Sequence, residues 1–230
     1  MINALTVFSK DEQRQVSQSI AALEKKTAAE VVCAVSTESG RYDRAESIVG
    51  LIVAAVLLAL TNIAWVFLTD WSAGPGGWHP PFGLPFMFQL IAVLVGFIGG
   101  SIAASYYHPL RRPFVRQKDK LAEAERAASI VFSSQRLHST RHVGGVLVYV
   151  SLFERKVIVL ADDGAMKVLE PSMLDAICES AVKNIKDGKR VETFLDAVKA
   201  LEPPLTESLP IGDNDVNELP DHLVCIHPRP

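Results

Sequence analysis

Five side chains of this 230-residue sequence have types and positions that could act together on a ligand: Glu30, Arg141, His142, Asp162 and Asp163. Each stands at the end of an apolar run that reads as a strand. Residues 31–36 and 143–151 form two such runs, and the chain between them includes a helix, so a parallel pairing is expected. Residues 156–161 follow the second run after a short turn and return antiparallel. The starts of the first two strands and the end of the third then share one edge of the sheet, and the five side chains meet there. Carboxylates placed together repel unless a cation neutralises them. Asp162 and Asp163 are therefore the candidate metal ligands, and their oxygen donors suit Mg²⁺ or Ca²⁺ better than Zn²⁺.

Plainer roles exist for the same residues. Asp162-Asp163-Gly164 is a turn sequence. A glutamate at a strand start, such as Glu30, is commonly a solvated charge. His138 and His142 suit a polar surface turn, and Arg155 suits a hairpin turn where it pairs loosely with Glu154. The three cysteines, Cys33, Cys178 and Cys225, are far apart, with no CxxC pair and no histidine at ligand spacing. They read as reduced thiols, neither a disulfide framework nor a zinc site. Gly212–Asp215 (GDND) lacks calcium-loop spacing and reads as linker. There is no P-loop, nucleophile elbow or zinc-protease motif. Lys and Arg total 23 against 26 Asp and Glu, a net charge of −3, so no nucleic-acid partner is expected.

The elements that must position these groups follow from periodicity. Residues 8–28 read as an amphipathic helix opened by a Ser9/Glu12 capping box, with Val16, Ile20 and Leu23 on its apolar face. Val31–Val35 is apolar without alternation, as in a strand covered on both faces. Arg111–Gln135 is a second amphipathic helix, with Leu121, Ala124, Ala128, Val131 and Phe132 on one face. Val143–Ser151 and Lys156–Ala161 form a β-hairpin through Leu152–Arg155. Pro171–Asp187 and Lys189–Leu201 are helices, the first stopped by Gly188 and the second by Pro203-Pro204. Leu205–Pro230 reads as a Pro-rich acidic tail with a short edge strand at Leu223–Ile226. The expected fold class is α/β: a three-layer α/β/α domain with a small mixed sheet.

The domain is interrupted. Ile48–Thr69 and Leu84–Ser105 contain no Lys, Arg, Asp or Glu. A hydrocarbon core of ~30 Å takes about 20 helical residues to cross, so the two runs are expected to form a transmembrane helical hairpin. The expected divisions are 1–47 and 108–204 for the two parts of the α/β domain, 48–107 for the hairpin and 205–230 for the tail. Tryptophans and tyrosines flank the two runs, as at membrane–water interfaces. The loop Asp70–Gly83 has no Lys or Arg, whereas Arg41, Arg44, Arg111, Arg112 and Arg116 flank the other ends. Both termini are therefore expected on the cytoplasmic side of a bacterial inner membrane. The acidic sheet edge is expected to face away from that membrane, because the spans leave from the opposite edge. Gly96, Gly100 and Ala104 form a small-residue stripe for close helix packing, between the two spans or, less favoured, between copies.

Phe8–Val32 (FSKDEQRQVSQSIAALEKKTAAEVV) and Gly145–Ala165 (GVLVYVSLFERKVIVLADDGA), in the order helix, strand, helix, strand–turn–strand and paired helices, resemble the TPM domain, a membrane-associated α/β module. The resemblance covers most of both non-membrane segments and makes the two spans an insertion after the first strand. It implies either a binding or assembly role beside another membrane protein or complex, or a divalent-metal-dependent phosphatase activity. Many members of that family carry an acidic residue or Asn just before the GVL strand and Gly-aromatic-Gly after the ER-V strand. This chain has Arg141-His142-Val143-Gly144 and Asp162-Asp163-Gly164 there. With no Ser or Cys beside an obvious base, the sequence favours a membrane-anchored binding module over a phosphoester hydrolase.

Overall fold

The computed structural model describes residues 3–73, 84–137, 144–211, 219 and 221–230, with the backbone alone for 70–73. The chain divides into two compact units, one of residues Arg41–Arg116 and one of Ile2–Gly40 with Gln117–Pro230.

The second unit is α/β. Its elements are α1 (Ala4–Val7), α2 (Lys10–Glu24), β1 (Val31–Ser36), α6 (Gln117–Ser134), β2 (Val146–Ser151), β3 (Lys156–Ala161), α7 (Pro171–Lys186), α8 (Arg190–Ser208) and β4 (Val224–Ile226). The four strands form one mixed sheet in the order β3-β2-β1-β4. β1 runs parallel to β2 and to β4, and β2 runs antiparallel to β3. All six residues of β1 and of β2 are buried. Successive strand side chains point to opposite faces. Val31, Cys33 and Val35 accordingly join one apolar cluster, with Val16, Ile20 and Leu23 of α2, Ile177 of α7 and Phe194 of α8. Val32 and Ala34 join the other, with Ala127, Ala128 and Val131 of α6 and Leu147 and Tyr149 of β2. The alanines of α6 let its backbone approach the sheet.

Local chemistry sets the helix ends. Ser9 and Glu12 form the reciprocal cap, Glu12 accepting from the Ser9 N–H at 2.6 Å and Ser9 from the Glu12 N–H at 3.2 Å. α7 ends where Gly188 takes a left-handed φ of 78°, a conformation glycine adopts without a Cβ clash.

Helix boundaries depart from the sequence expectation: α2 ends at Glu24, short of residue 28, and α6 begins at Gln117, past the expected start at Arg111, while the end of α8 departs the other way. α8 does not stop at Pro203-Pro204 but runs through both prolines to Ser208, so Leu205–Ser208 is helix and not tail. The prolines offer no N–H to the carbonyls a turn earlier. Packing overrides that loss. Leu201 and Leu205 are completely buried, each worth about 2 kcal/mol. The Thr27 hydroxyl lies 3.0 Å from the Leu205 carbonyl and 2.6 Å from that of Leu209, closing the last turn.

The first unit is a pair of long apolar helices, α3 (Asp43–Ala73) and α4 (Phe86–Tyr106), followed by the single turn α5 (His108–Arg111) and a 3-10 turn at Arg112–Phe114. Asp43–Thr69 and Phe86–Tyr106 are long and apolar enough to cross a membrane. Their large apolar side chains point outward: Leu51 is 65%, Phe67 73% and Phe86 74% exposed. What is buried is small: Ala92, Gly96, Gly100 and Ala104 of α4. A Cβ on Gly96 would lie 2.6 Å from the Ala54 Cα, and one on Gly100 2.9 Å from the Gly50 Cα. The small-residue stripe therefore faces the other helix of the same chain. At the far end Arg111 donates to Glu46 at 2.6 Å, Ser105 donates to the second Glu46 oxygen at 2.8 Å, and the Arg111 guanidinium lies 5.8 Å from the centre of the Tyr42 ring.

Candidate functional site

Three of the five predicted residues lie among those described; Arg141 and His142 lie outside them. The sheet register brings Glu30 and Asp162 to the same edge. The Glu30 N–H donates to the Gly144 carbonyl at 3.2 Å, and the Asp162 N–H to the Gly145 carbonyl at 2.9 Å. Their side chains do different things. Both Asp162 carboxylate oxygens hold main chain: one accepts from Gly164 and Ala165 at 3.0 and 2.9 Å, the other from Gly145 at 2.9 Å. Asp162 thus fixes the turn after β3 and clamps it to the start of β2. Asp163, one residue on, is exposed. Among the described residues no three Asp, Glu, His or Cys side chains converge to hold a metal ion.

The carboxylates that influence one another at this edge are Glu24, Glu30 and Asp221. Glu24, in the last turn of α2, accepts the Val31 N–H at 3.0 Å. Its carboxyl is pushed up from 4.5 to about 9, first by burial and then by the nearby charges of Glu30 and Asp221, against the lowering effect of the Val31 N–H. Glu30 is itself buried, which corrects its reading as a solvated charge. Glu24 and Asp221 were invisible as partners because nothing local in the sequence pairs the end of α2 with the approach to β4.

The opposite edge, at the carboxyl ends of β1 and β2, holds a network that sequence reasoning missed. Crevices outside the carboxyl ends of strands are where open α/β sheets bind ligands. Here Ser36 and Ser151 are register partners at the strand ends. The Tyr149 hydroxyl lies 2.5 Å from Ser36 Oγ and 2.9 Å from Ser39 Oγ. Glu154 accepts the Ser39 N–H at 2.9 Å on one oxygen and the Ser151 hydroxyl on the other. All five residues are buried, and burial pushes the Tyr149 phenol up. Glu154 is therefore not a loose partner of Arg155, which is exposed at a φ of 53° in the hairpin turn. The available signals were a tyrosine inside an otherwise apolar strand and the serine at the end of each paired strand.

The segment after β4 runs alongside the chain that leaves β1. Thr37 and Glu38 donate their N–H groups to the carbonyls of Ile226 and Pro228 at 3.1 and 3.0 Å. Thr37 Oγ1 lies 2.9 Å from His227 Nδ1, and Arg229 pairs with Glu38 at 3.5 Å. Each of these groups serves to hold chain in place. Ser151 touches a carboxylate, but it is completely buried, out of reach of a substrate.

The thiols are equally reserved. Burial raises the pKa of Cys33, Cys178 and Cys225, which disfavours the reactive thiolate.

No family model matches this chain, and no curated protein does. Among solved structures it is similar to the NMR structure of the BA42 protein from the psychrophilic bacterium Bizionia argentinensis. The TM-score is 0.53 at 15% identity, over 94% of each chain. That likeness is one of fold.

Proposed function

We propose that this chain is an integral membrane protein presenting a TPM-like α/β module that binds or supports another membrane protein or complex. The observation that carries the reading is the first unit. Its helices bury glycine and alanine between them and turn leucine, isoleucine and phenylalanine outward. Such a surface costs about 25 cal/mol for each Å² kept in water, and a bilayer removes that cost. On this reading the helical pair is an insertion after β1, within a three-layer α/β/α domain whose parts flank it in sequence. Both termini are cytoplasmic in a bacterial inner membrane, because the arginines flank one end of the hairpin and the 70–83 loop has none.

A binding role is supported over phosphoester hydrolysis by how the polar groups are spent. Asp162 is committed to three main-chain N–H groups, and Ser151 and Glu154 to each other and to Ser39. Reporter fusions test the topology. A reporter that works only in the periplasm should be active at residue 76 and silent after Pro230. Activity after Pro230 would overturn the proposal.

A further inference from the structure

The end of the hairpin that carries α5 has more positive charge than its own structure uses. Arg111 is consumed: it is buried, paired with Glu46 and set over Tyr42. Arg41, Arg44 and Arg116 are exposed, and among the described residues none of the three makes an ion pair. The bridge from Arg111 to Glu46, near the start of α3, holds all three at one end of the helical pair. Tyr106, Tyr107 and Leu110 at that end are also exposed, at 63%, 65% and 45%.

We infer that this collar binds the phosphate of anionic phospholipid headgroups, and this rests on the membrane reading above. A guanidinium presents two parallel N–H donors that match two phosphate oxygens. Tyrosine rings place an apolar body against acyl chains and a hydroxyl at headgroup depth. The occupant follows from charge complementarity. The collar's exposed ions are three arginines against one carboxylate, Asp43 in the first turn of α3, so its net charge is positive; they stand where an apolar helix ends, and the other carboxylate of that turn, Glu46, is already taken by Arg111. A zwitterionic headgroup brings its own cation into the same collar and cancels much of the gain. An anionic one does not.

The test uses the full chain in mixed micelles doped with phosphatidylglycerol or with phosphatidylcholine, and counts retained lipids by native mass spectrometry. Phosphatidylglycerol should be retained in preference. Each arginine neutralised should weaken its retention about fivefold, the factor for one basic residue near an anionic surface. Arg44→Gln/Arg116→Gln should therefore lose about 25-fold, and Arg44→Lys/Arg116→Lys should keep part of the preference. Arg14→Gln, on α2 and paired with Asp11, should change nothing. Equal retention of the two lipids, or no effect of Arg44→Gln/Arg116→Gln, would overturn the inference. Alkaline carbonate extraction of native membranes separates the two failures. A chain that stays in the membrane but shows no headgroup preference sinks the collar alone, whereas a chain released by carbonate sinks the membrane reading with it.

Discussion

Replacing Glu24 by Gln should make the protein more stable at neutral and alkaline pH. The folded carboxyl titrates at about 9 against an ordinary 4.5, because burial and the charges of Glu30 and Asp221 oppose ionisation. Below 4.5 the group is protonated in both folded and unfolded chains, and its stabilising contribution is fully present. As pH rises the unfolded chain gives up its proton first. Stability then falls by up to about 1.4 kcal/mol per pH unit until the folded carboxyl ionises as well. Glu24 is only partly buried, so solvent screening cuts the full span to on the order of 2 kcal/mol by pH 8. Glutamine keeps an oxygen for the Val31 N–H and carries no charge to suppress. For a domain of this size, 2 kcal/mol corresponds to about 4–8 °C in Tm. Thermal unfolding of the full chain in detergent, from pH 5 to pH 9, reads it directly. The wild-type Tm should fall across that window, the E24Q Tm should stay nearly level, and the two should converge at pH 5. Parallel profiles, or E24Q melting lower at pH 8, would refute the argument.

Three further outcomes follow from the same contacts. Gly100→Leu would drive a side chain into Val53 and the Gly50 backbone, and should lower the stability of the helical pair by about 1–3 kcal/mol, read as loss of thermal stability in micelles. Glu154→Ala removes the acceptor for both Ser39 and Ser151 and should cost about 3 kcal/mol, whereas Tyr149→Phe should cost about 1 kcal/mol; urea titrations of the two variants should keep that order. Asp162→Ala should lower Tm by releasing three N–H groups, while Asp163→Asn should leave it unchanged; millimolar Mg²⁺ or Ca²⁺ should not alter that contrast, and a metal-dependent rise in Tm abolished by either substitution would restore the metal-site reading.

What the sequence discloses, and what it withholds, divides along the range of the interactions. The Ser9/Glu12 cap is written within four residues, and the β2–β3 hairpin within sixteen, so both can be read locally. The unbroken apolar run Val31–Val35 forecasts a strand covered on both faces, and its two clusters bear that out. α8 is misread because the rule that proline stops a helix is local, whereas Leu205 is held by burial and by Thr27 from far away in sequence. The acidic edge is half legible. Topology places Glu30 and Asp162 together, but only the assembled sheet shows that Glu24 and Asp221 supply the charges and that Asp162 serves the main chain. The network around Tyr149 was missed for a similar reason: serine, tyrosine and glutamate are common enough that only their meeting in space marks them.

The sheet order has a consequence for how the chain comes to be folded. β1 is the first strand to be synthesised, yet it lies inside the sheet, between β2 and β4. Contacts at its end reach partners 113 residues ahead in β2 and 190 residues ahead after β4. Loop closure over such distances makes assembly slow, and an apolar strand waiting without neighbours is prone to aggregate. Both long apolar helices are translated during that wait. The nascent strand must therefore be sheltered, by a chaperone or by transient burial against α2, until the rest of the sheet has been made. Slowing translation after α4 should accordingly increase misfolding of the α/β unit.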